Sequence, residues 1–184
     1  MTMKPLHHLA AAATLACAGF TGFTAQAGTF TLDVSGAQSV NLLGEAGNTV
    51  WFLDIGAHAV LNALDWAVTL NAYAPSSLSE MQISFGDASG LDVITFAPDA
   101  LDGYSGTGHY SGSLDLQGWG VAAGADGLLR IEFSEAYKDF ALNVAEGQWV
   151  SGSLSFDVSP VPEPASAVLA LLGLGWVGLR ARRR

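Results

Sequence analysis

Apolar and polar residues alternate with period two along most of the chain between residues 28 and 160. Phe30, Leu32 and Val34 alternate with Thr29, Thr31 and Asp33, and Trp51, Leu53 and Ile55 form a second set. Trp66, Val68 and Leu70 stand against Asp65, Ala67, Thr69 and Asn71; Met81, Ile83 and Phe85 follow, then Leu114 and Leu116. Leu129, Ile131 and Phe133 alternate with Arg130, Glu132 and Ser134, and Leu154, Phe156 and Val158 with Ser153, Ser155 and Asp157. Successive side chains of a strand point to opposite faces, so this pattern predicts strands with one buried face and one wet face. Shorter candidates lie at Ser39–Leu43, Val93–Phe96 and Phe140–Val144. No stretch sustains a helical period over three turns. Glycine- and Asx-rich breaks at Gly44–Asn48, Gly86–Gly90, Asp99–Gly103 and Asp126-Gly127 punctuate the pattern, and the last reads as a tight turn. About eight to ten short strands at this spacing predict an all-β domain, a single antiparallel β-sandwich or jelly roll.

Both flanks break the pattern. Residues 1–27 have the layout of a secretory signal peptide: Lys4 and the amino terminus, an apolar run from Leu9 to Phe23, then Ala25-Gln26-Ala27. Signal peptidase requires small residues at the two alanine positions, so cleavage is expected before Gly28. Acylation at Cys17 is the alternative, but Thr14 stands where such a site wants a Leu-like residue. At the other end Val161-Pro162-Glu163-Pro164 precedes an uncharged run from Ala165 to Leu179, closed by Arg180, Arg182, Arg183 and Arg184. Fifteen helical residues reach about 22 Å at 1.5 Å each, short of a hydrocarbon core of about 30 Å. The arginines stay on the cytoplasmic side, which places the domain in the periplasm. The prolines favour extended backbone, an exposed stalk within reach of a processing enzyme.

Charge separates the middle from the ends. The chain carries a net charge of −10, but between residues 28 and 160 sixteen acids face only Arg130 and Lys138, a local charge of −14. Such a domain repels phosphate backbones, which excludes nucleic acid as a partner. The only cysteine is Cys17, so residues 28–160 have no disulfide, thiol nucleophile or Cys-based metal site and depend on their core.

The Pro-Glu-Pro motif, short apolar helix, arginine cluster and terminal position together resemble the PEP-CTERM sorting signal, over Val161 to Arg184. The resemblance implies a chain in three parts: a signal peptide (1–27), an exported β domain (28–160) and a sorting signal (161–184). It also implies processing by exosortase, a multi-pass enzyme of the inner membrane, after a transient stay as an anchored precursor. The final address would be the surface or extracellular matrix of a Gram-negative bacterium that makes exopolysaccharide. An ordinary single-span anchor is the competing reading of the tail. Leu64–Leu70, Asp126–Phe133 and Gln148–Leu154 also resemble segments of such proteins, without implying chemistry.

Catalytic patterns are absent from the sequence. Gly103-Tyr104-Ser105-Gly106-Thr107 lacks the last glycine of a nucleophile elbow, and Gly106-Thr107-Gly108 lacks the third glycine of a dinucleotide loop. His58 and His109 are far apart in sequence, and a surface or hydrogen-bonded role is expected for each. Calcium is the better inorganic candidate, because hard cations take carboxylate and carbonyl oxygens from flexible loops. Asp99 and Asp102, with the glycine-rich loop through Gly108, are its candidate ligands, and Asp87 with Asp92 a second pair; neither matches a known calcium motif, and Asp and Gly are also ordinary turn residues. Tyr104, His109, Tyr110 and Trp119 are candidates for stacking on sugar rings, or for covering the ends of the core. The expectation is a non-enzymatic matrix-associated protein linked to exopolysaccharide or biofilm, with a carbohydrate-binding module and a secreted hydrolase as alternatives.

Overall fold

The computed structural model describes residues 27–161. Nine strands follow one another: β1 (Gly28–Asp33), β2 (Gln38–Ser39), β3 (Thr49–Asp54), β4 (Val60–Ala72), β5 (Met81–Asp87), β6 (Val93–Phe96), β7 (Gly106–Asp115), β8 (Leu128–Glu135) and β9 (Gly147–Ser159). One turn of 3-10 helix, Leu78–Glu80, precedes β5. The strands form two antiparallel sheets packed face to face. One has the order β1-β9-β4-β7, with β2 also on β9, and the other has the order β3-β8-β5-β6. β1 and β2 lie along the same edge of β9 in one continuous register, interrupted by a turn at Gly36.

The alternation read from the sequence builds the interface between the sheets. Leu64, Val68, Leu70, Trp149, Leu154 and Phe156 from one sheet meet Met81, Ile83, Phe85, Leu129, Ile131 and Phe133 from the other, all buried. Aromatic edges cross the gap: Phe133 packs T-shaped on Trp149 with ring centroids 5.1 Å apart, and Phe85 on Phe156 at 5.5 Å. Edge-to-face contacts of this kind add to the burial of apolar area, which supplies most of the stabilisation. Trp149 also donates its indole N–H to Ser39 Oγ at 3.3 Å, so its one polar atom is not left unmatched in the core.

Three expectations require correction. Phe140–Val144 is a turn rather than a strand, with Asn143 at φ 65° and Leu142 and Val144 exposed. Ser39–Leu43 yields strand only at Gln38–Ser39, because Asn41 turns inward and binds neighbouring loops. The glycine-rich run expected as loop through Gly108 is already β7 from Gly106 onward.

β9 fixes the polarity of the sandwich. Its thirteen residues span about 40 Å at 3.3 Å each. Gly28 pairs with Val158 and Val60 with Ser159, so both described chain ends leave from the same end. The turns before β4, between β5 and β6 and before β8 lie there too. The loops 41–48, 73–80 and 136–146 lie at the opposite end, where Gly147 begins β9.

Candidate functional site: the tail end and its cleft

The sorting tail follows the central strand without a linker. Val158 is buried, Ser159 closes the ladder, and Pro160, which has no N–H to donate, ends it. Val161 is exposed and stands directly before Pro162. Pro162, Glu163, Pro164, the run Ala165–Leu179 and Arg180, Arg182, Arg183 and Arg184 lie outside the described residues, as does Ala25. Ala27 and Gly28 lie within them, and Gly28 opens β1. No helix among the described residues is long and apolar enough to cross a membrane.

Asp99 and Asp102 are already engaged, by their own loop and by β7. Asp102 Oδ2 accepts the Tyr110 hydroxyl at 2.7 Å and the Tyr104 hydroxyl at 3.2 Å, and Asp99 Oδ1 accepts the Leu101 N–H at 2.9 Å. The Tyr110 bond above all holds the Asp102 carboxyl below the usual carboxylate range. Burial, and then the bond to Asp102, push the Tyr110 phenol up. Among the described residues no group of three His, Cys, Asp or Glu side chains is placed to hold a metal ion.

The four aromatic candidates do not share a surface. Tyr104 is exposed beside Asp102, and Tyr110 packs half-buried against the core. His109 lies on the outer face of β7, its Nδ1 2.9 Å from Thr69 Oγ1. His58 stands in the turn before β4 with φ 57°, on a different element from His109. Trp119 is at the tail end.

Trp119 and the second aspartate pair, read separately in the sequence, meet in one cleft. Its volume is about 300 Å³, and it is lined by Asp87, Asp92, Val93 and Ile94 of the β5–β6 hairpin and by the segment from Trp119 to Gly124. Gly86 pairs with Val93, so Asp87 and Asp92 sit at the mouth of the β5–β6 hairpin. Asp87 accepts the Ser89 hydroxyl at 2.6 Å through one oxygen. Gly118 at φ 81° and Gly120 at φ 74° bracket Trp119; these left-handed residues reverse the chain on both sides and turn the ring outward, 58% exposed. The segment is fixed behind the ring by Trp119 N–H to Leu116 O, Leu61 N–H to Val121 O and Ala123 N–H to Ala59 O. The paired Gly-Trp-Gly is the sequence signal for this side of the cleft; its meeting with Asp87 and Asp92 depends on sheet order.

A buried acidic cluster occupies the opposite end. Glu135, the last residue of β8, faces the core side and is 1% exposed, and neither carboxyl oxygen has a hydrogen-bond partner. Its neighbours are Glu80 before β5 and Glu146 before β9. Lys138 is committed to Glu146, at 2.6 Å, and to the carbonyls of Val40 and Val144. Burial first, then Glu146 and Glu80, push Glu135 up to about 8. Burial would also raise Glu146, but hydrogen bonds from Lys138 and from the N–H groups of Asp139 and Phe140 outweigh it and hold its carboxyl low. On the outer face of β8, Glu132 is likewise buried, paired with Arg130 at 2.5 Å. Arg130 and Lys138 are therefore both spent on buried glutamates.

Comparison with known proteins adds one firm match. The model of the PEP-CTERM protein-sorting motif matches residues 160–184. No curated protein matches the chain. Among solved structures, the complex of Aeromonas sobria serine protease with its chaperone aligns at 15% identity and TM-score 0.44, over 73% of this chain and 27% of that one. An infectious bursal disease virus Gt strain structure aligns at 13% and 0.38, over 73% and 32%. The tobacco streak virus coat protein aligns at 13% and 0.33, over 75% and 87%. The chain thus spans about a third or less of the first two, and likeness at this level carries nothing about function. A motif of the matched kind marks an exported protein held at the membrane by its tail and processed by exosortase. Residues 160–184 are a PEP-CTERM protein-sorting motif, joined directly to the central strand of a β-rich domain.

Proposed function

We propose that this chain is a non-enzymatic surface or matrix protein, exported through the signal peptide of residues 1–27, anchored briefly by its tail and released by exosortase to associate with extracellular polysaccharide. The observation that carries it is the sorting motif at residues 160–184. Its physical parts have separate tasks. The apolar run holds the chain in the bilayer, the arginines resist being drawn through at a cost of at least about 2.5 kcal/mol each at the bilayer centre, and the proline stalk presents the motif to the enzyme. Mass spectrometry of the protein from native cells tests this reading. The mature chain should begin at Gly28, lack Ala165 to Arg184 and fractionate away from the inner membrane. A mature chain that ends at Arg184 and stays in the inner membrane would make the tail an ordinary anchor. A carbohydrate-binding reading is favoured by the cleft between Trp119 and the two aspartates; a hydrolase reading has no comparable support.

A further inference from the structure

We infer that the cleft between Asp87, Asp92 and Trp119 is a saccharide-binding site for uncharged pyranose rings. The inference rests on the reading of an exported protein in a polysaccharide matrix and gives that association a contact surface.

Three features converge on this ligand. Trp119 is a large aromatic ring turned away from the core by its two left-handed glycines. A pyranose ring has an axial C–H face that covers such a ring and removes apolar area from water on both partners. Asp87 and Asp92 line the same cleft and bring carboxylate acceptors to it, and a sugar edge is a row of hydroxyl donors; hydrogen bonds to a charged acceptor are the stronger kind. A cleft of about 300 Å³ lies at the lower end of the range for small-molecule sites.

The charges decide which sugars. Two carboxylates flank one hairpin mouth, and like charges so placed oppose strand pairing, so they are a poor choice for stability alone. Arg130 and Lys138 are paired with Glu132 and Glu146, and neither lines the cleft, whose charged lining residues are Asp87 and Asp92. An acidic lining disfavours uronate polymers and favours neutral hexose polymers.

The test uses the full chain purified in detergent with both ends intact. Isothermal titration calorimetry is run with neutral oligosaccharides of glucose, mannose, galactose and N-acetylglucosamine, and with an oligouronate of equal length. At least one neutral oligosaccharide should bind, and the oligouronate should not. Trp119→Ala should weaken binding by roughly tenfold or more, and Asp92→Asn by several-fold, while both variants keep the wild-type melting temperature, because neither side chain is part of the core. Binding retained in Trp119→Ala, stronger binding of the oligouronate, or no neutral binding up to about 10 mM, where even weak sites register, would each overturn the inference. None of these outcomes alters the processing of the tail, which mass spectrometry reads separately. Recovery of cleaved oligosaccharide would instead overturn the non-enzymatic reading and leave the cleft in place.

Discussion

Asn41 and Asn143, 102 residues apart, hydrogen-bond to each other twice: Asn41 Nδ2 donates to Asn143 Oδ1 at 2.9 Å, and the Asn143 N–H donates to Asn41 Oδ1 at 3.0 Å. Asn41 Nδ2 also donates to Ala46 O at 2.6 Å. One buried amide therefore ties loop 41–48 to loop 136–146, and with them the two sheets at the end far from the tail. Asn41→Ala removes all three bonds, while the freed partners on Ala46 and Asn143 are exposed and can turn to water. It should lower unfolding free energy by roughly 1–3 kcal/mol, the net value of the lost bonds, read from urea denaturation.

Glu135 should make stability depend on pH in an unusual sense. The folded chain keeps its proton up to about pH 8, whereas the unfolded chain releases it near 4.5. Between these values the folded state binds the extra proton, so this group's contribution falls as pH rises from about 4.5 to about 8, by at most roughly 1.4 kcal/mol per unit, and is level beyond. Glu146, held low, acts in the opposite sense: its contribution is present above the unfolded value and lost as pH falls through the folded one. Glu135→Gln imitates the protonated form. Its advantage over wild type should grow between pH 5 and pH 8 in parallel urea titrations; parallel curves at every pH would show that Glu135 ionises normally.

Gly152 tolerates no side chain. Its φ is 114°, and a Cβ there would stand 2.1 Å from the Ala67 carbonyl oxygen on β4. The residue follows the irregularity where β9 slips against Thr69 and Leu70. Gly152→Ala forces both backbone strain and strand separation, and a loss of at least about 2 kcal/mol is expected, measured as a fall in denaturation midpoint.

Asp102 should matter to the fold without any cation. Asp102→Ala and Tyr110→Phe each break the 2.7 Å bond between them. A double-mutant cycle in metal-free buffer should give a coupling of roughly 1.5–3 kcal/mol, the range for a hydrogen bond to a charged group. A coupling near zero without calcium, restored by millimolar calcium, would return this loop to the role of a cation site.

The two-sheet core was legible in the sequence because burial on one face imposes period two. Phe85, Phe133, Phe156 and Leu154 all fall inward as the alternation requires, and Val93–Phe96 has the boundaries expected of it. The same rule misleads where a side chain's partner comes from elsewhere in the chain. Glu132 and Ser134 occupy wet positions of the alternation yet are fully buried. Glu132 is covered by loop 41–48, whose Gly44 N–H and Asn48 amide donate to its Oε1. Phe140, Leu142 and Val144 alternate like a strand, but Lys138 and Glu146 close that segment into a loop. The start of β7 was hidden because Gly106 and Gly108 carry no apolar signal; Gly108 is glycine because the Tyr110 hydroxyl lies where its Cβ would be. The cleft was legible only in halves, since Trp119 and the Asp87–Asp92 hairpin meet through sheet order.

The attachment of the tail to β9 also determines how the molecule answers to traction. Any pull on the anchored end enters at Val161 and runs along the axis of β9, which is flanked by β1 on one side and β4 on the other. The load therefore falls on both ladders in shear, many hydrogen bonds at once, rather than peeling them open singly as at a sheet edge. The core side chains Trp149, Leu154, Phe156 and Val158 on the same strand resist sliding with them. A domain hung by an edge strand would unzip under tension. This one is hung by an interior strand, whose ladders on both sides share the load.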